Sequence, residues 1–335
     1  MAELECQNIR QILVIQTAFI GDAILATAVL EKLHAHYPEA SIDFLVRKGN
    51  ESLFVGHPFL RNVLVRDKKS GKGKSLWKVL RAVRQQRYDV VVNLHRFASS
   101  GIIAAFSGAG HVCGFDKNPF AWRYDCKMPH VIGTQPGSPH EVERNQSVIA
   151  HLTDSKAAKP KLYPSRDDFD VVRNDAPYIC IAPTSVWFTK QWPAEKWVTL
   201  IQAIDPTISI ALLGAATDRE VCESIAQASG HPQVRVFAGK LSLLQSAALM
   251  RGAVMNYVND SAPMHLCSAM DAPVTAIYCS TVPEFGFGPL STVSRVVETA
   301  EMLDCRPCGL HGFRACPKGH FRCAEITVNS VREGV

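Results

Sequence analysis

No stretch of this 335-residue chain approaches the ~20 consecutive apolar residues that a membrane-spanning helix needs. No secretory signal is expected either, because the first residues, Met1-Ala-Glu-Leu-Glu-Cys6, are acidic and run directly into a strand-like segment. Eleven cysteines are too few for a disulfide scaffold at this length; without a signal they are expected as thiols in a cytoplasmic protein. Acidic residues all but vanish between Arg61 and Arg87, where ten Lys or Arg accompany the single Asp67. Such a stretch suits an anionic membrane surface, an acidic substrate or nucleic acid, or forms an ordinary solvated helix face. Aromatics are nearly missing from it too: Trp77 stands alone, which argues against nucleic acid. Glycine is scarce where a dinucleotide fold would need a triplet, since the first turn carries Gly21 only. Short repeats and low-complexity tracts are absent.

What remains is the composition of a globular protein, 47% hydrophobic and 20% charged with a net charge of +5, and a length that favours two domains. Short β-branched runs alternate with segments of helical periodicity. Strands are expected at 11–16, 41–46, 62–65 and 89–94, and helices at 22–37, 75–87 and 141–152, with Ile102–Phe106 inside another. An exposed loop is expected at 68–74. Residues 116–139 lose the alternation and read as a long substrate-side loop, and 153–176 reads as a linker. The alternation then restarts, with strands at 178–182, 208–214, 234–237, 253–258 and 274–278. Helices are expected between them at 194–204, opened by Pro193, and at 218–228, 241–250 and 261–270. This pattern predicts an α/β protein with two doubly wound Rossmann-like domains, residues 1–165 and 166–335.

Three turns carry chemistry. In Val258-Asn259-Asp260-Ser261-Ala262-Pro263-Met264-His265, a hydrophobic run meets a small-residue helix whose first N–H groups attract anions, so a phosphate-bearing ligand is expected there. A capped helix end without a ligand accounts for the same residues. His265 would project near the N-terminal end of that helix. In Thr17-Ala-Phe-Ile-Gly21-Asp22, Gly21 admits a close approach to the backbone, and Asp22 is expected as the first helical residue. A carboxylate there is stabilised as the anion and takes a proton near neutral pH only if a neighbour raises its basicity. In 183–193, Thr184 and Ser185 offer hydroxyls to phosphate and Lys190 a point charge. Asp218 heads a later helix and can accept from a ribose hydroxyl or serve as a cap.

Residues 12–22, the Lys190-Gln-Trp-Pro193 turn, Asn259-Asp-Ser-Ala-Pro-Met-His265-Leu and a cysteine-rich tail together resemble glycosyltransferase family 9, the ADP-heptose:lipopolysaccharide heptosyltransferases. The resemblance runs from Ile12 to about Cys323. It implies a GT-B fold, two Rossmann-like domains facing across a cleft, with the acceptor on the N-terminal half and the nucleotide sugar on the C-terminal half. It implies inversion at the anomeric carbon with no metal and no cofactor. Asp22 matches the proposed general base. Ser185 and Lys190 match residues that hold the phosphates or sugar; Asp260, Ser261, Ala262 and His265 match donor-binding residues. Asp218 and Leu241 fall where the family contacts ribose and adenine. Thr17, Gly21, Arg96, Glu141 and Arg144 are acceptor-side candidates. Gln16 stands where the family commonly has Lys, and Ala262 where it has Gly, departures that bear on which donor and acceptor are used.

The tail carries Cys305, Cys308, Cys316 and Cys323, a zinc-type pattern for which thiols or partly paired structural cysteines are the preferred reading. The expected partners are an ADP-heptose donor, a lipopolysaccharide core or lipid A acceptor, and peripheral contact with the anionic inner membrane face. Two rival functions are a nucleotide-sugar epimerase on the same scaffold and a non-catalytic nucleotide-sugar-binding protein.

Overall fold

A computed structural model describes residues 9–68 and 71–333; Lys69 and Ser70 of the expected 68–74 loop, and the acidic start of the chain, lie outside the described residues. The chain divides into two compact units, one of residues 1–132 with 139–163, the other of residues 133–138 with 164–335.

The first unit begins with β1 (Gln11–Gln16), α1 (Ile20–His36), β2 (Ser41–Arg47), β3 (Leu60–Arg66) and α2 (Lys72–Gln86). It continues with β4 (Val90–Asn93), α3 (Ala98–Ala105), β5 (His111–Phe115), β6 (Cys126–Met128) and α4 (Glu141–Ile149). Its six strands are ordered β3-β2-β1-β4-β5-β6, all parallel. The central strands β1, β2 and β4 are buried on both faces, as their unbroken aliphatic runs require. Their side chains Leu13, Ile15, Leu45 and Val91 pack with Val83 of α2 and Ile103 of α3.

The second unit repeats the design. It comprises α5 (Arg166–Val171), β7 (Tyr178–Ala182), α6 (Ala194–Gln202), β8 (Ser209–Leu212), α7 (Arg219–Ser229) and β9 (Val234–Val236). Then follow α8 (Leu243–Gly252), β10 (Met255–Asn259), α9 (Ala262–Met270), β11 (Val274–Tyr278), β12 (Ser294–Glu298) and α10 (Val328–Arg332). The strand order is β12-β11-β10-β7-β8-β9, again all parallel. Read from β9 inward, this is the same 3-2-1-4-5-6 winding as in the first unit. Its core holds Ile181, Leu212, Tyr257 and Ile277, with Trp192 and Trp197 edge to face at 5.0 Å. Such a ring pair adds ~1 kcal/mol beyond area burial.

Several sequence expectations need correction. The supposed loop at 116–139 contains β6, an edge strand of three residues, and the supposed linker at 153–176 contains α5. α5 is opened by Ser165 and Asp168 in a reciprocal cap: the Ser165 hydroxyl accepts from the Asp168 N–H at 3.2 Å, and the Ser165 N–H donates to Asp168 Oδ2 at 2.9 Å. α2 begins at Lys72 rather than 75, and β5 and β12 were not anticipated as strands. Pro193 occupies the N-cap of α6 rather than its first turn.

Candidate functional site

In a doubly wound sheet the carboxyl ends of the two strands at which the winding reverses leave a crevice for ligands. Here those strands are β1 and β4 in the first unit, and β7 and β10 in the second. Most of the residues singled out from sequence sit on the segments that leave those four strand ends.

In the first unit β1 ends at Gln16, and α1 starts at Ile20 with Phe19 as N-cap. Asp22 is therefore the third helical residue, not the first, and its Oδ2 accepts the Phe19 N–H at 3.2 Å. Gly21 lies inside the first turn of α1 and has no positive φ, so its backbone conformation alone does not require glycine there. Burial pushes the Asp22 carboxyl up from 3.8 to about 7, and the negative charge of Glu141 adds to it, against the Phe19 and Asp22 N–H groups and Arg96. The neighbour that raises the basicity of Asp22 is thus a second carboxylate.

Glu141 can play that part because it stays ionised. Burial would raise its pKa, but His130 at 3.5 Å and Arg144 at 2.8 Å outweigh it and hold the carboxyl below its usual value. Arg144 also donates to the Pro139 carbonyl, so this guanidinium is committed to positioning Glu141. Thr17 is fully buried, its hydroxyl 3.2 Å from His95 Nδ1 and its carbonyl accepting from Lys68 Nζ at 2.9 Å. Arg96, just beyond β4, is half-buried. Gln16 turns its amide onto the backbone, its Oε1 accepting from the Ala18 N–H at 3.2 Å.

Sequence reasoning missed a ring of positive charge here. Burial, together with Lys68, Arg66 and Arg96, holds the His95 imidazole down to about 3, so it is neutral. Burial and the charges of Arg66 and Arg47 also lower the Lys68 ammonium. Arg66 closes β3 and is 4% exposed, yet its Nε and Nη1 have no hydrogen-bond partner among the described residues. A buried guanidinium without partners is expensive, and an anion placed against it would relieve the penalty. The basic run between Arg61 and Arg87 contained Arg66 and Lys68, but the burial of Arg66 Nε and Nη1 without a partner is a tertiary property.

In the second unit Asn259, at the end of β10, is fully buried and joins the two ligand-side segments. Its Oδ1 accepts the Trp192 N–H at 2.9 Å and its Nδ2 donates to the Pro183 carbonyl at 2.8 Å. Lys190 Nζ lies 2.6 Å from Asp260 Oδ2, and Thr281 Oγ1 donates to that same oxygen at 2.6 Å. Two residues expected to contact a donor separately are therefore paired with each other. Ser261 is the N-cap of α9, but its hydroxyl makes no bond to the first turn. His265, the fourth residue of α9, is buried with its ring 6.5 Å from that of Phe287. Thr184 and Ser185 are half-buried just past β7. Asp218 Oδ2 accepts the Ala215 N–H at 2.8 Å, the capping role its position allowed, and Leu241 is half-buried before α8.

The ten described cysteines are all free thiols, Cys305, Cys308, Cys316 and Cys323 among them. No three His, Cys, Asp or Glu side chains among the described residues are grouped so as to hold a metal ion. Also among the described residues, no helix is long and apolar enough to cross a membrane.

Comparison with known proteins places this arrangement in a family. The family described as glycosyltransferase family 9 (heptosyltransferase) matches residues 76–309, more than two thirds of the chain. Lipopolysaccharide heptosyltransferase 3 of Escherichia coli is 27% identical over 281 residues, covering 78% of this chain and 82% of that protein. The structure of E. coli ADP-heptose lps heptosyltransferase II superposes with a TM-score of 0.76 at 22% identity, covering 96% of each chain. E. coli heptosyltransferase WaaC with ADP gives 0.74 at 21% identity, covering 96% of this chain and 97% of that one. These neighbours share the two-sheet architecture of the GT-B fold. The chain belongs to glycosyltransferase family 9, the heptosyltransferases.

Proposed function

We propose that this heptosyltransferase catalyses an inverting, metal-independent transfer of heptose from ADP-heptose to the lipopolysaccharide inner core, with Asp22 as general base. The observation that carries the reading is the Asp22 carboxyl, raised to about 7 by burial and Glu141 at the switch point of the first sheet. A base with that pKa combines a useful ionised fraction at neutral pH with real proton affinity. The ADP-heptose and lipopolysaccharide parts of the proposal are supported by the relatives that carry those words in their names.

In the step proposed, an acceptor hydroxyl oxygen attacks the anomeric carbon as Asp22 takes its proton, and the bond from that carbon to the diphosphate oxygen breaks. Inversion follows from a single displacement with no covalent enzyme intermediate. The departing charge is met by Lys190, the Ser261 hydroxyl and the first N–H groups of α9, with Thr184 and Ser185 adding hydroxyls. Asp260 holds Lys190 in place until the diphosphate arrives. Asp218 and Leu241 are assigned to the ribose and adenine, and His265 to the phosphates. The acceptor is assigned to the first unit, where Arg47, Arg66, Lys68 and Arg96 favour an anionic sugar lipid over a neutral one. Arg144 supports Glu141 rather than touching the acceptor.

Docking at the cytoplasmic face of the inner membrane completes the proposal. α2 carries no acidic residue, exposes Lys74, Lys78, Arg81 and Arg84, and leaves Trp77 69% exposed among them. Cations with an exposed Trp form the surface that binds an anionic interface. The test is transfer from ADP-heptose to isolated core acceptor in the presence of EDTA, with the anomeric configuration of the product read by NMR. Product of inverted configuration supports the reading; retained configuration, or activity that EDTA abolishes, refutes it.

A further inference from the structure

The cysteine-rich segment between Cys305 and Cys323 has no part in the reaction just described, yet it packs against the donor lysine. Thr189, the residue before Lys190, is 1% exposed. Its N–H donates to the Phe313 carbonyl at 3.1 Å, and its hydroxyl accepts the Phe313 N–H at 2.8 Å. The same hydroxyl donates to the Phe313 carbonyl at 3.3 Å and accepts from the Ser280 hydroxyl at 3.0 Å. One donor and two acceptor positions are then filled, which saturates a threonine hydroxyl.

The neighbouring Gly312 touches the lysine itself. It has φ +77°, and a Cβ there would come within 2.9 Å of Thr189 Oγ1, 3.2 Å of Lys190 Cγ and 3.4 Å of Ser280 Oγ. Only glycine fits that backbone and that gap.

The segment is anchored at its other end to the exit of β11. The Cys308 N–H donates to the Ser280 carbonyl at 2.8 Å, and Arg306 donates to the carbonyls of Cys279 at 2.7 Å and Thr281 at 2.8 Å while pairing with Glu298. Ser280 and Thr281 are adjacent; the first binds Thr189 and the second binds the Asp260 oxygen that holds Lys190. Phe188, on the other side of Thr189, packs its ring against Phe321 of the segment, centroids 5.0 Å apart and planes tilted by 33°. The backbone just before Lys190, the stem of its side chain and the residue that bonds its counter-ion are therefore each in contact with this segment or with the residues it grips.

We propose that the Cys305–Cys323 segment is a positioning clamp for the donor site, in which the Gly312–Phe313 turn locks Thr189 and so places the Lys190 ammonium for a nucleoside diphosphate. A lysine stem is flexible, and holding it in one arrangement before the ligand binds removes part of the ordering cost of binding. Thr189 acts through Lys190 and is a positioning residue. The proposal rests on the donor assignment of Lys190 made above.

The test is a double-mutant cycle on ADP affinity, read by calorimetry on the full chain, with Thr189→Val, Lys190→Ala and the double variant. Thr189→Val keeps the shape and deletes the hydroxyl, and is expected to weaken ADP about tenfold. Thr189→Ser keeps the hydroxyl and is expected to restore affinity to within about twofold. In the Thr189→Val background Lys190→Ala should cost clearly less than it does alone, because a lysine no longer held contributes less. A merely structural role for Thr189 leaves the two effects additive, and additivity in a chain that binds ADP overturns the clamp alone. Absence of ADP binding by the unsubstituted chain overturns the donor assignment and the clamp with it. Melting temperatures of the single variants identify any that fail to fold; Gly312→Ala then replaces Thr189→Val in the same cycle, with the same criterion.

Discussion

Replacing Asp22 by Asn removes a proton-accepting group and nothing else of size, and two opposite effects follow. The carboxyl shifts from 3.8 to about 7 on folding, so at neutral pH the folded protein holds an anion where it would accept the neutral acid more readily. A shift of about three units at about 1.4 kcal/mol each gives about 4 kcal/mol as the full penalty of ionisation. Asp22 keeps partial contact with solvent, so the realised figure is expected near 2 kcal/mol. The sign is the reverse of the usual carboxylate case. The folded state binds the proton more tightly, so this contribution to stability is present below pH 3.8 and is lost as pH rises through about 7. Asp22→Asn should therefore be more stable than the unsubstituted protein at pH 8, with a gain that shrinks towards pH 4. Urea denaturation of both proteins at unit pH intervals measures this. The same substitution should lower the transfer rate by about a thousandfold, the size of a lost general base, with ADP affinity changed by less than twofold. A variant no more stable at pH 8, or one that transfers at near-normal rate, refutes the argument.

Two further outcomes follow from the first unit. Arg66→Met should raise the denaturation midpoint, by the equivalent of about 1 kcal/mol, because it deletes a buried guanidinium with unsatisfied donors. It should also weaken an anionic core acceptor about tenfold in KM, and a stable variant with unchanged KM would remove Arg66 from the acceptor side. In α2, Arg81→Gln with Arg84→Gln should reduce partition onto phosphatidylserine vesicles about thirtyfold, at ~1 kcal/mol for each cation. Sedimentation with vesicles measures it, and binding that ignores both the substitutions and the lipid charge would place the membrane surface elsewhere.

The central strands were legible in the sequence because burial on both faces demands unbroken apolar runs, as in Ile12-Leu-Val-Ile15 and Val274-Thr-Ala-Ile-Tyr278. β6 was not, since Cys126-Lys-Met128 lies at the sheet edge and is three residues long, too short for its one apolar–polar–apolar step to mark a strand. α5 was hidden because it buries none of its residues; its one local signal was the Ser165–Asp168 cap. The candidate site divides in the same way. Asp22, Lys190 and Asp260 stand out as polar residues just past apolar strands. What those residues do depends on surroundings far away in sequence: burial and then Glu141 raise Asp22, Asp260 pairs with Lys190, and Phe313 grips Thr189. Local pattern indicates which residues reach a strand end, while burial and charge at that end are set by the winding of the sheet.

The pH dependence of kcat/KM for heptose transfer tests the central claim most directly, because it reads the ionisation of the base in the free enzyme. With Asp22 as the base, kcat/KM rises with pH and levels off above an apparent pKa of about 7. A profile flat from pH 5 to 8, or the same inflection persisting in Asp22→Asn, would contradict it.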